Sequence, residues 1–460
     1  MKQNLLCLLL MMCIATFGWA GEVWVTLPNG GSIGFYTEGH NAWVYSAHNT
    51  SSVVTIPSTI SVDDVTYETY NVVGVGPYAF ENNTTITKVI LSEGITYVEA
   101  DAFNGCTNLM NITLPSTLTR IGTEAFRGCR FSKVTIPDGV TAIGGNAFCG
   151  CGRLREVHLP SQLTEIGMAA FNQCSQLDSI DFPPTLTTIG GYAFMCTMLR
   201  EVSIPDNVTT IGESAFALCD SLKSVTIGKG VTTIGNHAFA GCSQIHLVVF
   251  NAVNCSRMGS SVEMRPFGDY EPMNGDYIDL NSAMDVVIGG EVAVIPAYAF
   301  ARCRAISRIE LPASVTTIGE KAFYGCQGID TIISHNPVPP AATSSCFTGV
   351  DKSIPVEVPY PSSAEAYGQA GGWREFANIQ GYGLEGIADG LATNVEVIGG
   401  KGSILVKEAD GMKVRVSDIS GRQVFSQQAN GVEYRIQNLR AGVYLVRIGG
   451  HPAKKVVVMR

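Results

Sequence analysis

Residue types that often perform chemistry are present in this chain, but they are not grouped into a recognised catalytic pattern. The seven histidines form no HExxH pair, and the sequence contains neither a GxSxG nucleophile motif nor a phosphate-binding P-loop. Asp276, Asp279 and Asp285 are carboxylates that could hold calcium, but they lack the Asx-Gly spacing of a calcium loop. The sequence therefore predicts no catalytic residue, no metal site and no cofactor.

Twelve cysteines follow the first twenty residues, and most of them occupy one position relative to a phenylalanine. Eight lie three residues after it: Cys106, Cys129, Cys151, Cys174, Cys219, Cys242, Cys303 and Cys326. Cys196 lies two residues after its phenylalanine. One cysteine per repeat predicts a column of small buried thiols rather than disulfide pairs. The three remaining cysteines are the better candidates for a bridge: Cys149, Cys255 and Cys346.

The phenylalanines themselves mark a repeat. Ala-Phe occurs ten times at intervals of 22 or 23 residues, apart from one interval of 61, from Phe80 to Phe323. A typical unit reads IGTEAFRGCRFSKVTIPDGVTA, in which apolar residues alternate in KVTI and Pro137 then ends the strand. One unit cannot bury its own apolar side, but stacked units can. We therefore predict a solenoid in which the phenylalanine rings form a buried column.

The outward positions of the repeated strands form a candidate binding face. These positions carry mixed polar side chains without a block of one charge, including His158, Asp181 and Ser203. A long repetitive face of this kind suits an extended partner.

The interval of 61 residues exceeds the 46 that two units require. We interpret residues 253–284 as one coil with an extended excursion, after which DVVIG at 285–289 restores the register. Excursions from a repeat often carry binding or are tolerated surface insertions. This one contains side chains that suit interface anchors: Met258, Met264, Tyr270 and Tyr277.

The N-terminus has the features of an export signal. Lys2 supplies the positive charge, residues 5–17 are uncharged and apolar, and Gly18-Trp19-Ala20 is a small-x-small cleavage site. We expect cleavage between Ala20 and Gly21. The apolar run is short for a transmembrane span, and the sequence has no second one.

Charge is unevenly distributed along the 460 residues. From residue 393 onward the chain has 11 Lys or Arg and 5 Asp or Glu, whereas residues 21–392 have 18 and 35. An acidic body repels phosphate backbones, so nucleic acid is not an expected partner.

The C-terminal part has a different pattern. Residues 382–394 are rich in Gly and Ala and are interpreted as a linker. From residue 395 to residue 460, short alternating segments such as GSILVKE, MKVRV and GVYLVRI predict a small Ig-like β-sandwich.

The repeat IGxxAFxGC, followed by LxxVxIP, resembles the BspA-like leucine-rich-repeat family. The resemblance implies a right-handed stack of short parallel strands over residues 78–381. It also implies an N-terminal β cap at 21–77 and a C-terminal cap at about 334–381. Members of that family are typically secreted or surface-exposed, and several are implicated in adhesion.

The C-terminal segment is similar to the sorting tail of the type IX secretion system of certain Gram-negative bacteria. The matching segments are VRVSDISGRQV, LRAGVYLVRI and the closing KKV, with Gly421, Gly442, Tyr444 and Lys455. The similarity implies passage across the outer membrane, removal of the tail, and release or attachment at the cell surface. The alternative is an ordinary Ig-like domain.

Together these features predict a non-catalytic, adhesin-like protein, secreted or held at the outer surface, that recognises an extracellular protein or glycan. Two alternatives remain open at this point. One is a secreted hydrolase whose site lies in the excursion, and the other is a passive surface spacer.

Overall fold

A computed structural model describes residues 16–17, 21–27, 31–61, 68–255, 257–268, 283–382, 396–400, 402–407, 411, 413–418, 423–431, 433–448 and 454–458. The chain divides into two compact units, Met1–Gly383 and Leu384–Arg460. Nearly all of the expected signal segment and of the expected linker lies outside the described residues.

The first unit begins with a two-residue strand in the expected signal segment, and mostly longer strands follow in the segment predicted as a cap. They are β1 (Thr16–Phe17), β2 (Glu22–Thr26), β3 (Ser32–Glu38), β4 (Asn41–His48), β5 (Val53–Ile56), β6 (Thr59–Ser61) and β7 (Thr69–Val75). Short strands then recur along the repeat. They are β8 (Lys88–Leu91), β9 (Tyr97–Val98), β10 (Asn111–Thr113), β11 (Arg120–Ile121), β12 (Lys133–Thr135), β13 (Ala142–Ile143), β14 (Glu156–His158), β15 (Glu165–Ile166), β16 (Thr188–Ile189), β17 (Glu201–Ser203), β18 (Thr210–Ile211), β19 (Ser224–Ile227), β20 (Thr233–Ile234), β21 (Leu247–Phe250), β22 (Arg257–Met258), β23 (Asp285–Ile288), β24 (Val294–Ile295), β25 (Arg308–Leu311), β26 (Thr317–Ile318) and β27 (Thr331–Ser334).

The first unit ends with a 3-10 helix at Ser344–Phe347, β28 (Pro355–Val358), helix α1 (Pro361–Gln369) and β29 (Asn378–Gly381). The second unit contains β30 (Glu396–Gly400), β31 (Ser403–Lys407), β32 (Lys413–Asp418), β33 (Gln423–Gln428), β34 (Glu433–Ile436), β35 (Gly442–Ile448) and β36 (Lys454–Val458).

Most coils of the solenoid contribute two strands, of which the sequence predicted only the longer one. The longer strands pair in parallel as the strand face, which is broken into the sheets β10-β8-β5, β12-β14, β17-β19-β21-β23 and β25-β27-β28-β29. The second, two-residue strand of a coil usually ends in isoleucine before a glycine. The short strands up to β22 continue the N-terminal strands in one long sheet, in the order β1-β2-β3-β4-β7-β9-β11-β13-β15-β16-β18-β20-β22, and β24 and β26 form a separate parallel pair. The continuous surface of the solenoid is therefore this long sheet, not the strand face.

The phenylalanines stack as predicted. Twelve rings follow one another from Phe80 to Phe347, with centroids 5.0 to 5.9 Å apart and planes within 19° of parallel. This spacing follows from the roughly 4.8 Å separation of neighbouring strands. The rings are buried, so the column is the central part of the apolar core.

The cysteine column has a polar role as well as a packing role. Seven of the eight column thiols donate to the carbonyl oxygen of the phenylalanine one coil earlier; Cys174 Sγ, for example, lies 3.2 Å from Phe148 O. The same bond recurs at Cys106, Cys129, Cys151, Cys219, Cys242 and Cys326. A small side chain with a weak donor satisfies a buried carbonyl here without a large volume.

Cys196 is not a member of this column. Thr197 occupies the position three residues after Phe194, is buried, and donates to Phe194 O at 2.9 Å. All twelve cysteines of the described residues are free thiols, including Cys149, Cys255 and Cys346, which the sequence favoured as bridge candidates.

The glycine after each isoleucine is explained by close approach between coils. A Cβ at Gly190 would lie 2.6 Å from the backbone nitrogen of Met168 and 2.7 Å from the carbonyl carbon of Gly167. Any larger residue would push neighbouring coils apart.

The expected excursion at 253–284 contains the one coil predicted there, although the residues that form this coil were not identified from the sequence. Met258 pairs in parallel with Ile234, and Phe267 stacks between Phe239 and Phe300 at 5.0 and 5.9 Å. Met-Gly and Pro-Phe replace the usual Ile-Gly and Ala-Phe, and four extra residues separate them. The excursion is therefore shorter than predicted, and its remaining residues, 269–282, lie outside the described ones.

The end of the solenoid continues the coils. β28 and β29 extend the strand face in parallel, and Phe347 ends the ring column against Trp373, 5.0 Å away. Trp373 Nε1 donates to Pro340 O at 2.8 Å, and Tyr367 OH donates to Ser334 Oγ at 2.7 Å.

The second unit consists of two antiparallel sheets, β30-β31-β34 and β33-β32-β35-β36. Their inward residues form a separate apolar core that includes Ile404, Val416, Tyr444 and Val456. This arrangement is consistent with the small sandwich predicted from the alternating segments.

Truncation of one ring tests the column. We expect Phe171→Ala to lower the free energy of unfolding by roughly 3–5 kcal/mol, because a fully buried ring leaves a cavity between two stacked neighbours. Denaturant titration of the mature chain measures this change. Met168→Ala, in the same coil at a side chain that is 58% exposed, is the control and should cost less than about 0.5 kcal/mol. Equal effects of the two substitutions would contradict the register.

Thiol chemistry tests the cysteine column. In the denatured, unreduced mature chain, twelve thiols should react with an aromatic disulfide reagent that counts free thiols. In the native chain alkylation at pH 8 should be slow, because burial raises the pKa of Cys106 to about 12 and raises that of Cys174 well above its usual range. Partly exposed Cys196 should react first. A count of two or fewer thiols would show that the column is oxidised.

Candidate recognition surfaces

The predicted binding residues of the strand face lie at the surface but do not form one continuous strip. His158 ends β14, and Ser203 ends β17. Asp181 is exposed but belongs to no strand, because the coil that ends in Pro183 and Pro184 interrupts the sheet between β14 and β17. The three residues therefore flank a break in the strand face.

Charged side chains surround His158. Glu156 Oε1 lies 2.7 Å from both Lys133 Nζ and His158 Nε2. The hydrogen bond from Lys133 lowers the pKa of Glu156. Because all three side chains are about half exposed, these ion pairs add little to the free energy of unfolding, and their main effect is on the charge distribution of the surface.

A second polar cluster lies farther along the strand face, and the sequence analysis had not singled it out. His335 Nε2 is 2.9 Å from Glu310 Oε1, its Nδ1 is 3.0 Å from Tyr382 OH, and Arg308 Nη2 is 3.1 Å from Glu310 Oε2. Burial raises the pKa of Glu310, but His335 and Arg308 outweigh burial and hold it below its usual value. Glu310 and His335 are 25 residues apart, which is about one coil, and this spacing is the signal that could have paired them.

Of the interface anchors proposed in the excursion, the structure places one at the surface and one in the core. Met264 is 41% exposed, whereas Met258 is completely buried between coils. Met258 cannot anchor a partner, because its side chain replaces the core isoleucine of the repeat. Tyr270 and Tyr277 lie outside the described residues, as do Asp276 and Asp279, while Asp285 is paired in β23.

The long sheet presents a threonine ladder. In successive coils a threonine hydroxyl donates to the carbonyl of the threonine one coil earlier, as Thr187 does to Thr164 O at 2.9 Å. Beside it, an open groove of about 760 Å³ is bordered by Arg120, Glu165 and Met168. Gly122, Gly144, Gly145 and Gly167 are among the other residues that line it.

The residues of the export signals are only partly described. Ala20 and Gly421 lie outside the described residues, and Gly21 directly precedes β2. Gly442 begins β35, Lys455 is half-buried in β36, and Tyr444 is buried with its hydroxyl 2.9 Å from Arg440 O. Within the described part of the chain no helix is long and apolar enough to cross a membrane.

Comparison with known families identifies the repeat. The model of the BspA type leucine rich repeat region matches residues 73–195, 119–246 and 279–365, which together span more than half of the chain. The chain belongs to the BspA-type leucine-rich-repeat family. A second model, the domain of unknown function DUF6383, matches residues 385–458. No curated protein matches the chain.

Solved structures of other leucine-rich-repeat proteins are similar to the chain. One is a leucine-rich repeat protein from Bacteroides ovatus, 25% identical, with coverage of 72% of this chain and 95% of that one and a TM-score of 0.44. Another is a leucine rich cell surface protein from Faecalibacterium prausnitzii, 19% identical, with coverage of 82% and 96% and a TM-score of 0.36. The pneumococcal vaccine antigen PcpA is 15% identical, with coverage of 78% and 98% and a TM-score of 0.39.

Proposed function

We propose that this leucine-rich-repeat chain is an exported, non-catalytic recognition protein that acts outside the cell on a protein or glycan. The supporting observation is that the coils fix exposed polar side chains at one strand spacing along open faces. Among the described residues no three His, Cys, Asp or Glu side chains are grouped to hold a metal ion. Such a surface can contact an extended partner at several coils, with the affinity arising from their sum.

We also propose that the C-terminal unit is a type IX sorting tail that is removed at the cell surface. Support comes from the motif around Gly421, Gly442 and Lys455 and from the division of the chain into two units near residue 383. The buried Tyr444, whose hydroxyl bonds to the backbone four residues earlier, gives this unit an internal anchor.

Export by this route predicts the termini of the mature protein. Mass spectrometry of material from the outer surface should find an N-terminus at Gly21 and no peptides beyond about residue 393. Whole-cell lysate is the control and should still contain C-terminal peptides from precursor. An intact C-terminus at Arg460 on surface material would reject tail removal.

Charge reversal tests whether the strand face binds. His158→Lys, Asp181→Lys and Ser203→Lys together should weaken binding to a purified matrix protein such as fibronectin, laminin or type IV collagen by tenfold or more. The reason is that three lysines replace a mixed pattern at one site and raise its net charge by about four units. Biolayer interferometry with the mature chain measures this loss.

The matched control places the same charge change on the long sheet, with Glu165→Lys, Thr188→Lys and Thr210→Lys. This control variant should keep an affinity for the matrix protein within about twofold of the wild type. A further variant should replace only residues 269–282 by a Gly/Ser linker, because deleting residues 255–268 would remove the buried Met258 and Phe267. Unchanged binding in both the strand-face and the linker variants would exclude these surfaces.

A further inference from the structure

The N-terminal part of the long sheet carries a row of outward side chains that is unusually aromatic. Cross-strand pairing joins Glu22 to Tyr36, Tyr36 to Trp43, Trp43 to Gly74, and Gly74 to Tyr97. Directly paired residues point to the same side of a sheet. This row therefore lies on one face across five strands.

The opposite face of the same strands already fills the core. Val23, Phe35 and Val44 are buried there, whereas the outward side chains beside them, Trp24, Tyr36 and Trp43, are not. Tyr36 is 38% exposed, and Trp24, Trp43 and Tyr45 are partly exposed. These outward aromatic rings are therefore not needed to complete the core. A cluster of aromatic rings on a solvent-exposed face is typical of a binding site.

Two glycines let the rings lie along the sheet. A Cβ at Gly34 would be 2.7 Å from Tyr45 Cε1 and 3.1 Å from Trp24 Cζ2, so both rings rest over that glycine. Gly74 is covered in the same way by Tyr97, whose ring leaves no room for a Cβ. We call these rings, Trp24, Tyr36, Trp43, Tyr45 and Tyr97, the aromatic platform.

Ring contacts hold the platform together. The centroids of Tyr36 and Tyr45 are 4.2 Å apart, those of Trp24 and Tyr45 are 5.5 Å apart, and His48 stacks on Trp24 at 5.2 Å. Because each ring is fixed by another ring or by a glycine, the surface is organised before a ligand arrives.

Polar groups line the edge of the platform. Tyr45 OH donates to Glu22 Oε2 at 2.9 Å, and the same carboxylate raises the pKa of Tyr36. His48 adds an imidazole that can donate or accept a hydrogen bond. The platform therefore combines apolar ring faces with donors and acceptors at their rim.

We propose that the aromatic platform binds a neutral glycan, with pyranose rings stacked on the aromatic faces and sugar hydroxyls bonded to Glu22, the tyrosine hydroxyls and His48. The apolar C–H face of a pyranose matches an aromatic face, and its hydroxyls match the polar rim. The inference rests on the recognition function proposed above and adds to it a ligand class and a second site.

The charge and shape of the platform favour this ligand over two others. Glu22 is negative, and Arg120, the cation paired next to Tyr97, is bound to Glu99 at 3.1 Å, so an anionic glycan would meet no unpaired cation among the described residues that border the platform. A polyproline helix docks into grooves between aromatic ridges. Here Trp24 and Tyr45 close over Gly34, with their ring planes 72° apart, and Tyr97 covers Gly74, so the rings occupy the space along the sheet that such a groove would need.

Titration of the mature chain, residues 21–460, tests the proposal. The probes are cellohexaose, laminarihexaose, mannohexaose and galactohexaose, with heparin, polygalacturonate and a proline-rich peptide as the other arms. Two of the three tryptophans after residue 20 are Trp24 and Trp43, so intrinsic fluorescence reports binding directly. At least one neutral hexasaccharide should bind and change this fluorescence, and calorimetry should give its affinity.

Substitutions then locate the site. Tyr36→Ala and Trp43→Ala should each weaken that binding tenfold or more, while Tyr36→Phe should retain it within about threefold because the ring face remains. Met198→Ala, at a side chain that is 46% exposed and lies outside the platform and the candidate surfaces, is the control and should bind as the wild type does. Circular dichroism establishes that each variant is folded. If Tyr36→Ala or Trp43→Ala unfolds the chain, the tryptophan signal of the wild type still decides, because a neutral hexasaccharide that binds without changing this fluorescence would contradict the platform.

Several results would overturn the platform. They are binding of none of the neutral oligosaccharides, binding only of an anionic glycan or the peptide, and glycan binding that the platform substitutions leave unchanged. Each of these results can occur while the strand face still binds a matrix protein, in which case the recognition function stands and only this ligand and site are rejected. Loss of both activities would reject both.

Discussion

The separation of about 4.8 Å between neighbouring parallel strands governs this molecule. Once backbone hydrogen bonds fix that distance, every coil must place the same type of side chain at the same point. Rings such as Phe171 and Phe194 then stack at 5.3 Å, and a thiol such as Cys174 reaches the carbonyl of the previous coil. Gly190 is required because neighbouring backbones come within contact distance of its missing Cβ.

The same spacing explains how the proposed recognition function can arise without a catalytic site. Inward positions are fully committed to the core, so variation is available only at outward positions and in insertions. The strand face uses that freedom for scattered charges such as Glu156 and Glu310, and the long sheet uses it for threonines and, at its N-terminal end, for aromatic rings. Recognition by such a protein is a property of rows of side chains rather than of a pocket.

Much of this could be predicted from the sequence, because the repeat is an internal alignment. The ring column, the thiol column and the longer strands follow from Ala-Phe, from Cys three residues later and from alternation. The two-residue strands were missed because two residues carry too little periodicity. One coil was predicted between Phe239 and Phe300, but its residues Met258 and Phe267 were not identified, because Met-Gly and Pro-Phe replace the usual dipeptides and four residues are added between them. The row that places Trp43 and Tyr97 on either side of Gly74 depends on the register of the strands, which turn lengths and bulges determine.

The central claim is that one uninterrupted coil register runs through the solenoid, including the altered coil at Phe267. Native-state hydrogen exchange tests it most directly. Phe239 donates its backbone N–H to Pro266 O, as Phe216 donates to Ala238 O in a regular coil. The account predicts that these two amides exchange at similar, slow rates, within about tenfold of each other. Rapid exchange at Phe239 with continued protection at Phe216 would show that the stack ends there and would contradict the account.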